Sequence, residues 1–284
     1  MEDKFHLTRE ENVFLARKRW PDSIYSGMRM ENRNVTFPQT QTILEGANVA
    51  GVSLDDVQAI LNLRDAWRFV LNTLDEPLDL AYLSSIQAKV AFREALAWGT
   101  LRTGSIGISG VGYVPPVPVA ETVEAGLADL MGRERSATAT ALTVFCQVAR
   151  GQLFWDGNKR TAMLAANRIL IRAGAGILLV PDRSMAAFSS QLSAFYESGD
   201  PDELERFLYS QAVFGMEPLP PPAPTSAGLR TGAWLKRRRR EQGLTQRQLA
   251  EAVGVTTSAV ANIEQGQRRG STAVWDSIER LLSG

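Results

Sequence analysis

The sequence predicts a mainly α protein in two parts, a helical body over residues 1–214 and a small all-α module over residues 228–284. Three observations predict it. Apolar residues recur at helical spacing on both sides of a tight turn around Asp156, five prolines crowd into residues 217–225, and short capped helical patterns follow them. The segment 215–227 then reads as a polyproline linker, a semi-rigid spacer between two domains.

In chain order, the first forty residues are polar and irregular, with Pro21 and Pro38, and are expected to drape over the body. His6 lies there, and it is the single histidine of the chain. A short helix at 40–45 stopped by Gly46 comes next, then a helix capped by Ser53 whose Val57, Ile60, Leu61, Val70 and Leu71 form an apolar stripe. Residues 82–98 read as a further amphipathic helix. Residues 101–116 alternate glycine with β-branched or aromatic residues and close on Pro115 and Pro116, which predicts an extended β-hairpin with an open edge. Helices are expected at 121–131, 137–148, 162–171, 185–195 and 201–214, with one short strand at 177–180.

The turn itself reads Gln152-Leu-Phe-Trp-Asp-Gly-Asn-Lys-Arg-Thr161. Asp156-Gly157-Asn158 is a strong turn signal, and the next helix starts at once, so its free N–H groups and positive dipole end point into the turn. Lys159 and Arg160 put cations where a helix normally disfavours them, which suggests a bound anion, most plausibly a phosphate. Asp156 is placed to hold Mg²⁺ bridging phosphate oxygens. A plain inter-helix turn with two solvated cations is the competing reading.

From Phe154 through Arg160 the turn resembles the Fic/Doc family signature, H-x-F-x-D/E-G/A-N-G/K-R. The resemblance implies a Fic helical core with a β-hairpin flap, ATP or another nucleotide as ligand, and Mg²⁺. Phe154 would anchor the loop, Asp156 would bind the metal, and Gly157, Asn158, Lys159 and Arg160 would cradle the nucleotide. Two working positions differ. The family's catalytic His is Gln152, and the second Arg of the AMP-transferring branch is Met163, while Lys159 is the variant of the Doc branch. Residues 40–46 partly resemble the family's inhibitory motif, S/T-x-x-x-E-G/N, with Glu45 as the inhibitory carboxylate and Gln41 at the S/T position. Residues 101–116 would be the flap that aligns a target protein by strand addition.

Composition sets the outer limits. The chain of 284 residues carries 31 basic and 31 acidic side chains, yet residues 228–284 hold ten Lys/Arg against five Asp/Glu, so a +5 tail follows a −5 body. Such asymmetry suggests nucleic-acid binding confined to the tail. Cys146 stands alone in an apolar run, which excludes a disulfide framework and fits a buried thiol in a reducing, cytoplasmic setting. No segment approaches the roughly 18 apolar residues of a membrane span.

In the tail, residues 234–240 open a helix, Thr245 caps a second that ends at Gly254, and Thr256 caps a third with Val260 and Ile263 facing inward. This arrangement resembles the lambda-repressor-like (XRE) helix-turn-helix family. It implies that Thr257, Ser258 and Asn262 face the major groove, and that Gln246, Arg247, Arg268 and Arg269 hold phosphates at either end. A recognition face this short and neutral favours a homodimer on a palindromic operator. Arg237 to Arg240 read as a solvated face.

Gln152 has no useful basicity, and loss of a positioned general base typically lowers a rate about 10² to 10⁴-fold. The sequence therefore favours a DNA-binding regulator whose Fic site binds nucleotide but transfers weakly or not at all. The alternative is a working AMP-transferase or Doc-like kinase, toxin-like and autoregulated by its helix-turn-helix. A deliberate replacement of histidine by Gln152 would leave the same sequence.

Overall fold

The computed structural model describes residues 1–217, 232–265 and 272–282. The chain divides into two compact units, Met1–Pro221 and Pro222–Gly284. The expected polyproline linker falls mostly on residues outside the described ones.

The first unit is built on α7 (Ala137–Gly151) and α8 (Asn158–Ala173), the most extensively packed pair of helices. Their facing residues are small or apolar, among them Ala141, Phe145, Ala162, Ala165 and Ala166, all fully buried, which lets the two backbones approach closely. Around them stand α4 (Leu54–Asn72), α5 (Leu80–Val90), α6 (Ala120–Gly132), α9 (Met185–Ser198) and α10 (Asp202–Gln211). A two-stranded antiparallel sheet joins β1 (Ile177–Leu178) to β2 (Val213–Phe214). The second strand replaces the end of the helix expected over 201–214.

The first forty residues are not irregular. They form α1 (Arg9–Lys18) and α2 (Trp20–Met30), and α3 (Phe37–Leu44) starts earlier than expected, with a Thr36–Gln39 capping box. Their apolar pattern is disguised because buried positions are polar: Asn12, Ser23 and Ser26 are buried beside Leu15, Ile24 and Met28. Asn12 exchanges both hydrogen bonds with the backbone of Gly176, at 2.9 and 2.7 Å. This segment is therefore part of the core, and α2 carries its last residues to the central turn.

The helix expected over 82–98 stops at Val90. Arg93 adopts φ +60°, a left-handed conformation that no helix continues through, and Leu96 is 80 % exposed. Gln87 ties the segment back, accepting from Gly99 N–H at 2.5 Å and donating to the Asp156 carbonyl at 3.0 Å. Nor is residues 101–116 a hairpin. No strand forms there, because glycines weaken the ladder and Pro115 and Pro116 bring no N–H to it.

The second unit packs α11 (Gly232–Glu241), α12 (Gln246–Val253), α13 (Thr257–Glu264) and α14 (Thr272–Leu282) around Leu235, Leu249, Val260, Ile263, Trp275 and Ile278. Among the described residues, no helix is long and apolar enough to cross a membrane.

Candidate functional site

The turn between α7 and α8 is held by its own side chains. Gln152 ends α7 at φ +45°, and its Nε2 donates to the Ala149 carbonyl at 2.7 Å. Its Oε1 accepts from Asn158 Nδ2 at 3.2 Å. Asn158 also accepts from Phe154 N–H at 2.9 Å and donates to the Phe154 carbonyl at 2.8 Å, while Phe154 itself is fully buried. Asn158 thus fixes the loop's shape from inside. Gly157 is obligatory: at φ +75° a Cβ would meet Val90 Cγ1 at 2.9 Å. No side chain caps α8, so its first-turn N–H groups remain available to an anion.

The two cations of the motif have different surroundings. Lys159 lines the cleft and pairs with Glu31 at 3.0 Å, donating also to the Met30 carbonyl at 2.8 Å. Arg160 is 1 % exposed and turns inward, with Nη1 on the buried Glu94 at 3.2 Å and Nε 3.6 Å from Glu31. Glu94 is further held by Arg33 and by Asn62 Nδ2 at 2.8 Å. Arg160 therefore supports the turn rather than lining the cleft. Met163 lies in the core, where a Cβ on Gly27 of α2 would approach its methyl group to 3.4 Å.

Glu45 caps the end of α3, is exposed, and forms no ion pair among the described residues. The carboxylates that face Lys159 and Arg160 are Glu31, Glu94 and, at 3.8 Å from Arg160 Nη2, Asp156 of the turn itself. Sequence pattern offered no signal for Glu31, because it lies in the stretch read as irregular. His6 is exposed and does not line the cleft.

The cleft above the turn holds about 340 Å³ and is bounded by Glu31, Gln152, Trp155, Asp156, Lys159 and Tyr196, with residues 106–109 closing one side. Trp155 and Tyr196 went unnoticed in the sequence, the first at a variable motif position and the second on the helix α9. The Tyr196 hydroxyl is buried and unpartnered. Burial raises its pKa well above the usual tyrosine value, and the Glu31 charge adds to the effect. It is a poor base at neutral pH.

Although it is no hairpin, the 101–116 segment still reaches the site, because Arg102 clamps it. That side chain is 1 % exposed and donates to the carbonyls of Gln152 and Gly104 at 2.6 Å, and to those of Pro115 and Pro116 at 3.1 and 2.5 Å. Further out, Gly112 N–H donates to Glu197 and the Arg150 guanidinium stacks 3.7 Å over the Tyr113 ring.

For Mg²⁺, the cleft offers one carboxylate besides Glu31, which Lys159 already holds. Asp156 has a side chain 47 % exposed at the cleft, with Oδ1 taking Gly157 N–H at 2.6 Å and lying 3.8 Å from Arg160 Nη2, and with Oδ2 in no hydrogen bond among the described residues. Among the described residues no cluster of three His, Cys, Asp or Glu side chains could hold a metal ion. A single aspartate fits a magnesium ion that shares its other positions with phosphate oxygens and water.

In the second unit, Thr257 and Ser258 are exposed at the start of α13, and Asn262 is half-buried one turn on. Arg247 is exposed and pairs with Glu251 at 3.3 Å. Gln246 instead donates to Glu264 at 2.8 Å. Arg239 leaves the supposed solvated face: it is buried and meets both oxygens of Glu264, at 2.6 and 3.1 Å. Burial opposes ionisation of Glu264, but the bonds from Arg239 and Gln246 outweigh it and hold its carboxyl below the usual range. Arg268 and Arg269 lie outside the described residues.

Comparison with known proteins agrees with both units. Residues 77–170 match the Fic/DOC family model and residues 235–283 a helix-turn-helix model. Proteins named protein adenylyltransferase Fic from Drosophila melanogaster and Drosophila yakuba are 26% and 27% identical over 201 residues, 65% of this chain and 39% of theirs. The chain thus spans about two fifths of the length of these curated relatives. Among solved structures, a fragment of Fic-1 from C. elegans superposes with a TM-score of 0.59 at 20% identity, covering 70% of this chain and 61% of that one. A Fic domain containing signaling protein from Bacteroides thetaiotaomicron gives 0.56 at 15% identity, covering 98% and 90%. These two likenesses bear on the fold.

Proposed function

We propose that the helical unit is a Fic module that binds the phosphates of a nucleotide, ATP in the simplest case, without efficient group transfer, and that it regulates a DNA-binding helix-turn-helix. The observation that carries this reading is the state of Gln152. Its amide is consumed at both ends by Ala149 and Asn158, so the position from which a base would act has become part of the loop's scaffold. Transfer of a nucleotidyl or phosphoryl group to a protein hydroxyl requires that hydroxyl's proton to go somewhere. Neither Gln152 nor the high-pKa Tyr196 can take it.

The binding parts persist. The N–H groups of α8, Lys159 and the shape imposed by Gly157 and Asn158 would hold phosphate oxygens. Asp156 would hold Mg²⁺, which supplies charge neutralisation between the phosphates. Glu31 now occupies the cation that a phosphate would use, so it, rather than Glu45, takes the inhibitory role in this reading. The Arg102-clamped segment would present an edge to a protein partner. In the second unit Thr257, Ser258 and Asn262 would read base edges while Arg247 contacts phosphate, with two copies of the chain on a palindromic operator.

Calorimetry with ATP and Mg²⁺ tests the first half of this reading. Saturable binding by the native chain that is lost in Lys159→Met supports it, and binding by neither protein removes the nucleotide from the proposal. For the second half, operator affinity is measured with and without ATP. A second reading, an active adenylyltransferase, is supported by the names of the Drosophila relatives. In that case a target hydroxyl would gain AMP with release of pyrophosphate, and label from ATP carrying a tagged α-phosphate would appear on protein with the native chain but not with Asp156→Ala.

A further inference from the structure

Two turns beyond Arg160 on α8, Arg168 is another guanidinium that is 1 % exposed, and its surroundings are different. Among the described residues it forms no ion pair, its Nε and Nη2 are buried without hydrogen-bond partners, and what it meets is the side chain of Tyr82. The face of Tyr82 lies 5.6 Å from its central carbon. Asp75, an acid of the same cleft, is already taken by Arg9, which meets its two oxygens at 2.9 and 2.7 Å. Burial pulls the Arg168 pKa below its ordinary value. A buried cation with no counter-charge destabilises a fold, and nothing in α8 needs it: a methionine would fill the same space.

Arg168 lines a cleft of about 670 Å³ that shares no residue with the one above the turn. Arg172, one turn further and exposed, joins it on the same wall, also without an ion pair among the described residues. The opposite wall is apolar, made by Leu127, Ala128 and Met131 of α6 with Pro77 and Leu78 beneath. Of the remaining acids, Asp79 is engaged as the cap of α5, accepting from Tyr82 N–H at 2.8 Å, and Glu124 stands at the rim. Cations facing an apolar wall, in a volume suited to a small molecule, form an amphipathic receptor. Acids at the rim disfavour a multiply charged guest.

We propose that this cleft binds a small organic monocarboxylate, its carboxylate on Arg168 and Arg172 and its hydrocarbon body against Leu127 and Met131. The site is independent of the nucleotide reading and stands or falls without it.

Full-length protein titrated by calorimetry and thermal shift with hexanoate, hexanol and inorganic phosphate decides the matter. Hexanoate is expected to bind saturably and raise the melting temperature, hexanol to do neither, and Lys159→Met to leave the hexanoate response unchanged. Arg168→Met is expected to melt no lower than the native chain yet to bind hexanoate at least about tenfold more weakly, the loss of a charge-assisted hydrogen bond. Arg172→Glu, an exposed change, is expected to weaken binding by a similar factor, and it carries the test if Arg168→Met does not fold. Absence of hexanoate binding overturns the proposal, as does binding unaffected by either substitution. Phosphate binding that Arg168→Met abolishes and Lys159→Met does not would overturn the carboxylate assignment.

Discussion

The helix α8 buries two arginines eight residues apart, both against α5, and the two are treated in opposite ways. At the turn, Arg160 meets Glu94, which also receives Arg33 and Asn62, so the charge is shared within a network of acids, bases and amides. Arg168 is equally buried, yet among the described residues it has no carboxylate partner, only the Tyr82 ring, and its Nε and Nη2 are unpaired. A third, Arg102, shows an intermediate solution, in which carbonyl oxygens alone satisfy the guanidinium. The contrast separates two reasons for burying a charge. A partnered guanidinium fixes local structure, whereas an unpartnered one weakens the fold and needs an external explanation.

The largest effect should come from breaking the partnered side. Glu94→Gln leaves Arg160 and Arg33 without their shared carboxylate and is expected to lower the stability of the helical unit by about 3 to 5 kcal/mol, measured by urea denaturation. Arg168→Met, at equal burial, is expected to be neutral or stabilising. If both substitutions destabilised the unit alike, the distinction between the two arginines would collapse.

A parallel pair sits in the helix-turn-helix, where Arg239 and Gln246 converge on Glu264. Because the folded carboxyl is held below its ordinary value, this contact stabilises the unit fully above the unfolded glutamate pKa of about 4.3, and its contribution is lost as pH falls through the folded value. Amide protection factors in α12, taken relative to the intrinsic exchange rate at each pH, should therefore fall in acid. Glu264→Gln should lower stability at neutral pH by about 2 to 4 kcal/mol and flatten the acid dependence. Next in size comes Arg102→Met, which deprives four carbonyls of one donor. An effect of about 1.5 to 3 kcal/mol confined to the 101–116 segment is expected, read as faster proteolysis there while the helical core melts almost unchanged.

Much of this arrangement was legible in the sequence, where local chemistry decided the structure. Gly157 and Asn158 marked the turn, Thr245 and Thr256 marked helix starts, and Cys146 announced a buried thiol, whose pKa burial indeed raises. What escaped depended on partners distant in the chain. Asn12, Ser23 and Ser26 broke the apolar period of α1 and α2, although each is buried, Asn12 and Ser26 in hydrogen bonds to the chain around 176–180. Glu31 follows directly from that failure, since a stretch read as loose cannot be expected to carry a carboxylate into the site. The segment 101–116 misled for a different reason: its alternation looked like a strand, but a buried arginine rather than a ladder partner took its carbonyls. Nothing in the sequence around Arg168 marks it out, and only its burial sets it apart.

The smallest expected effect lies at the turn. Of the two acids paired with the motif cations from outside the turn, Glu31 alone lines the cleft, and its side chain is 18 % exposed, whereas that of Glu94 is 7 % exposed. An anion entering above α8 must compete with it for Lys159. Glu31→Gln removes the competing charge while keeping the side chain's shape, so ATP affinity should rise about three- to tenfold, equivalent to about 1 kcal/mol for a partly screened pair. Because a screened contact weakens with salt, the gain should shrink between low and high ionic strength. Glu45→Gln serves as the control and should leave affinity unchanged, since that carboxylate is exposed and unpaired. If Glu45→Gln raised affinity and Glu31→Gln did not, the counter-anion of this site would be the one the sequence motif pointed to, brought in by a conformation other than the one described.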